Sequence, residues 1–128
     1  MADEEAGAPL PDPADRGVLE VRDRAVANIV VAATLQSPGV HRHGTSLGRL
    51  AGRDLPRADV DVAGDHVRVH VDIAVEWGRP LGLVAAAARR EVCDALAAQS
   101  GLSVDRVTVH VATVIPPEQT GTSGRVLT

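Results

Sequence analysis

The sequence predicts an α+β domain of two layers, with two helices packed on one face of a mainly antiparallel sheet, in the element order β-α-β-β-α-β. Three observations predict it. Residues 66–77 alternate between polar and apolar side chains, the period of a strand buried on one face. Two other stretches, around 26–33 and 81–96, carry their apolar residues at helical spacing. Between residues 58–62 and 66–77 stands Gly64-Asp65, a two-residue hairpin loop signal.

The first expected element is a short strand, Gly17-Val18-Leu19-Glu20-Val21. Asp23 then stands where a helix N-cap belongs. Val26, Ile29, Val30 and Ala33 follow at i, i+3, i+4 and i+7, one apolar stripe of a helix. Ser37-Pro38-Gly39 ends it, because proline restricts the residue before it and glycine tolerates the turn. Residues 41–57, with Gly44, Gly48 and Gly52 set among arginines, read as a long flexible connection with a little strand after Val40.

The hairpin register follows from the loop. It sets Val62 opposite Val67 and Val60 opposite Val69, and it sets Asp61 opposite Arg68 and Asp59 opposite His70, both favourable cross-strand pairs. On the long strand Val67, Val69, Val71, Ile73, Val75 and Trp77 share one face. A strand of that length spans about 36 Å, long for a small domain, so a bend or a protruding end is expected. Pro80 opens the second helix near its first turn. Leu81, Val84, Ala88, Val92 and Leu96 form its stripe, and Gly101 ends it. The last strand runs from about Arg106 to Ile115 with Val107, Val109, Val111 and Ile115 inward. Element order alone leaves the strand order open, a split-βαβ arrangement being one option.

The chain has 128 residues, one domain's length. The folded body is expected over 17–115, between an acidic disordered arm (1–16) and a disordered tail (116–128). Trp77 is the only aromatic residue, so the core must be built from Val, Leu, Ile and Ala. The formal net charge of −4 lies entirely in residues 1–16, which carry five acids against one arginine; the body is neutral and lacks the basic footprint of a nucleic-acid binder. Cys93 stands alone, which excludes an internal disulfide and a multi-cysteine zinc site. The first residues form no signal peptide, and no stretch approaches the roughly 20 apolar residues of a spanning helix. A cytoplasmic protein without direct membrane insertion is therefore expected.

Several of these segments resemble the Asp23/Gls24 family, the alkaline shock proteins. Residues 17–21 leading into Val26-Ala27-Asn28-Ile29-Val30 are similar to the family's opening, and Pro38-Gly39-Val40 to its helix-ending Pro-Gly-Val. Residues 71–78, Val-Asp-Ile-Ala-Val-Glu-Trp-Gly, resemble its long Val-rich strand ending in aromatic-Gly, and residues 100–111 its closing signature. The sequence departs at Trp77, where Tyr is usual, at Thr108, where Asn is usual, and in the Gly/Arg-rich connection. The resemblance implies an envelope stress response protein with no established catalytic residues. It further implies self-association and peripheral placement at the inner face of the membrane through a small membrane-anchored protein partner.

The candidate interaction surface is the polar face of the long strand, His66, Arg68, His70, Asp72 and Glu76, beside Arg106 and His110 of the last strand. Its histidines would make it sensitive to pH near 6.5, against the plainer reading of an ordinary solvated face. Trp77 reads as closing the core at the strand end, with an interface anchor as the alternative. Exposed strand edges independently favour a homo-oligomer. Arg42, Arg49, Arg53 and Arg57 form a candidate anion contact, the basis of the alternative reading as a nucleic-acid-binding module. The segment lacks the Gly-Lys-Ser/Thr ending of a P-loop, and the polar face lacks aromatics on which bases stack. No metal site is expected, since His66 and His70 lie about 13 Å apart along a strand. His41 and His43 would need a third ligand. Cys93 reads as packing, and no catalytic constellation and no cofactor motif is present.

Overall fold

A proline at the first helical position loses no hydrogen bond, since the N–H it lacks would be unsatisfied anyway. In the computed structural model, which describes residues 13–44 and 54–117, helix α1 starts there and runs Pro13–Leu35. The expected strand at 17–21 is thus helical. Its alternation is weak, because Val18 and Leu19 are adjacent, while Leu19, Val26, Val30 and Ala33 fall on one helical face. A helix nucleated over 26–33 extends backward at one hydrogen bond per residue fixed. The extension overhangs the body, leaving Val18 and Val21 exposed, and Arg22 Nη2–H ties it to the Gly64 carbonyl at the hairpin tip (2.8 Å).

The remaining elements are β1 (Val40–His41), β2 (Arg57–Ala63), β3 (His66–Glu76), α2 (Leu81–Gln99) and β4 (Ser103–Ile115). The α+β class and the two helices over one sheet are as the sequence predicts. Along β2 and β3 the register agrees pair by pair, Asp59↔His70, Val60↔Val69, Asp61↔Arg68 and Val62↔Val67. Gly64 takes φ 63°, the left-handed conformation that a tight hairpin turn requires.

Strand β3 is central. β4 pairs with it in parallel along its whole length, while β1 and β2 pair antiparallel to it. With one edge taken by β4, β1 and β2 must lie end to end along the other. The chain leaves that edge after His41, opposite Ala74, and rejoins it at Arg57, opposite Asp72. His43 and Leu55 close the base of this excursion with two backbone hydrogen bonds of 3.1 and 2.8 Å. The parallel β3–β4 pairing follows from α2, which carries the chain back across the sheet. Two register shifts interrupt it, after Val67 and after Ile73, and both place the extra residue on β4.

The core lies between the sheet and both helices. Val67, Val71, Ile73 and Val75 from β3 meet Val30 from α1 and Val92 and Leu96 from α2, all fully buried. Half-buried Cys93 packs against this cluster, as a small apolar side chain.

Candidate functional site

Because side chains alternate across a strand, burying the valines of β3 against the helices turns its polar residues outward. The resulting face has three columns. In register across the sheet, Arg57, Asp72 and His110 form one row, Asp59, His70 and Thr108 the next, and Asp61, Arg68 and Arg106 the third. The structure thus brings together His66, Arg68, His70, Asp72, Arg106 and His110. A shallow, open groove of ≈ 270 Å³ runs over the middle of this face, lined by Asp59, Asp61, Arg68, His70, Arg106 and Thr108.

Asp72 organises one end. Its Oδ1 accepts from His70 Nε2–H at 3.0 Å and from His110 Nδ1–H at 3.1 Å, and the two imidazoles stack with centroids 6.3 Å apart. At the other end His66 Nδ1–H donates to Asp105 Oδ1 at 2.8 Å, and its Nε2 lies 3.6 Å from Asp65 Oδ1. The bond to Asp105, then that carboxylate's charge, holds the His66 pKa above 6.5, with Asp65 adding to it. Between these ends, among the described residues, Arg68 and Arg106 sit side by side without an ion pair.

Asp105 is the member that sequence reasoning misses. Strict alternation would turn it away from Arg106, but β4 carries an extra residue between the pairs Val67↔Val104 and Arg68↔Arg106. The bulge leaves both Asp105 and Arg106 exposed. No residue pattern announces it.

Glu76 and Trp77 stand apart, about 33 Å from His66 along the strand. Glu76 Oε1 accepts from His41 Nε2–H at 2.8 Å and its Oε2 from Arg79 Nε–H at 3.0 Å. These two bonds, His41 first, hold its carboxyl below the usual range. Trp77 does not close the core. The strand ends at Glu76, the chain turns at Gly78 (φ 91°), and the indole is left 63% exposed.

Of the candidate anion contacts, Arg49 and Arg53 lie outside the described residues. Arg42 borders the excursion and Arg57 opens β2 opposite Asp72. Among the described residues no group of three or more His, Cys, Asp or Glu is arranged to hold a metal ion.

The model of the Asp23 family, described by a cell envelope-related function, matches residues 12–116. No curated protein matches the chain significantly in sequence. Solved structures share its fold. The zinc form of a MamM CTD variant superposes with a TM-score of 0.53 at 16% identity, covering 76% of this chain and 91% of that one. The copper form of another MamM CTD variant gives 0.51 at 18% identity, covering 70% and 95%.

Proposed function

This chain belongs to the Asp23 family, and from that premise we propose that it is a non-catalytic, self-associating scaffold of the cell-envelope stress response, which docks a partner protein through its polar sheet face. The observation that carries the reading is the exposed three-stranded face, where Arg68 and Arg106 stand together beside Asp59 and Asp61. Fixed charges of both signs on a rigid surface select a complementary charged surface and steer its approach. His66, His70 and His110 on the same face make that contact sensitive to protonation. The groove is open and shallow rather than the concave pocket in which catalysis excludes water, which supports an interaction role.

No helix among the described residues is long and apolar enough to cross a membrane. Placement at the inner face of the membrane therefore runs, in this reading, through a membrane-anchored partner. Exposed Trp77 offers it a second, apolar anchor beyond the polar face.

The test is recovery of a tagged copy from its own host with mass spectrometry of what co-purifies. A small membrane-spanning protein in the membrane fraction is the expected result, lost when Arg68 and Arg106 are both replaced by Glu. Recovery free of any protein partner counts against the scaffold. A salt-dependent shift of nucleic acid would replace it with the nucleic-acid reading.

A further inference from the structure

A sheet edge that nothing covers presents unpaired N–H and C=O groups, and another strand can pair with them. Among the described residues, the outer edge of β4 is such an edge. It runs the full length of Ser103–Ile115, pairs only with β3, and has no proline before Pro116. Its inward row is incompletely covered. Val71 and Ile73 of β3 are fully buried, but their register partners Val109 and Val111 are only half-buried.

We infer that the β4 edge is the seam at which a second copy of this chain binds, antiparallel, on a twofold axis through Val109. The inference rests on the self-association in the proposed function and names where it occurs. Opposed residues must face the same side of the sheet, so the axis has to pass through a residue rather than between two. Between the bulges, β4 pairs without interruption from Arg106 to Val111. An axis through Val109 sets Val109 against its own copy and Val107 against Val111 twice. All three half-covered or buried valines then meet β-branched partners, which are favourable cross-strand pairs. It also sets Thr108 opposite His110, so no like charges meet between the bulges. An axis through Thr108 would oppose Arg106 to His110, and one through His110 would oppose His110 to itself and leave Val107 without a valine partner.

The other outer edge resists the same pairing. On β2 an axis through Val60 opposes Asp59 to Asp61 twice, and one through Asp61 opposes that carboxylate to itself; like charges directly opposite destabilise. The β4 seam would join the two sheets into one, with the helices of both copies on the same face.

The register is tested by cross-linking. Thr108→Cys and His110→Cys are made separately in a Cys93→Ser background, both at exposed positions. Mixed and oxidised with diamide, the two variants are expected to form a disulfide heterodimer. Each alone is expected to form little, because the diagonal separation of about 7–8 Å is too long for a disulfide. A dimer in which the mixed pair cross-links no better than either single variant overturns this seam while leaving self-association standing. A monomer at every concentration overturns both.

Discussion

Leu96 and Leu83 lie on the same helix, α2, and the structure gives them opposite fates: Leu96 is 0% exposed and Leu83 70% exposed. Replacing each by alanine removes the same atoms. At position 96 the loss adds a cavity to the transfer free energy, because the surrounding valines of the core cluster relax only in part. Buried Leu→Ala changes of this kind cost about 3–4 kcal/mol. Taking about 3 kcal/mol, and about 4–8 °C per kcal/mol for a domain of about 100 residues, Leu96→Ala is expected to lower Tm by about 12–24 °C. Leu83→Ala, with little burial to lose, is expected to stay within about 0.5 kcal/mol of the parent. Thermal melts by far-UV circular dichroism are the suitable assay, since the exposed Trp77 reports little of core unfolding. Equal Tm shifts for the two variants, or the larger shift at Leu83, would refute the assignment of the buried face of α2 and with it the way the helix sits on the sheet.

Three further outcomes are expected. The His66 titration, followed by NMR, should have its midpoint above 6.5 and fall back in Asp105→Asn. Because a raised pKa stabilises the fold below the unfolded value, this contribution is complete below 6.5 and is lost as pH rises through the folded midpoint. Glu76 behaves in the opposite sense. Its lowered pKa contributes stability above the unfolded value of 4.5, lost as pH falls through the folded midpoint, and His41→Ala should raise that midpoint. Gly39→Ala should cost about 1–3 kcal/mol in denaturant melts, because Gly39 holds φ +92° and an added Cβ would lie 3.2 Å from Val84 Cγ2; a neutral result would mean that the turn after α1 is free to shift.

Much of the candidate site was legible because it depends on local chemistry. Alternation placed His66, Arg68, His70 and Asp72 on one face, and the Gly64-Asp65 turn fixed their partners on β2. Three members depended on more. Arg106 and His110 join the face only because β4 pairs with β3, and Asp105 joins it only through a bulge. Trp77 went the other way. It continues the apolar row of β3 in sequence, yet the chain turns immediately after Glu76 and carries the indole out of the core.

By itself the sequence determined the α+β class, the hairpin and its register, the second helix and its ends, and a core without aromatics. Each follows from side-chain period, turn residues and composition, which act over a few neighbouring positions. Only the tertiary structure decided that residues 17–21 extend α1 rather than form a strand, because five residues of weak alternation satisfy either period and the helix behind them decides. It also decided that β1 and β2 share one edge of β3, that β4 takes the other in parallel, and that, among the described residues, the outer edge of β4 is left open. Those outcomes rest on which strands meet across long stretches of chain, and a one-dimensional pattern of apolar and polar residues is the same whichever neighbour a strand finds.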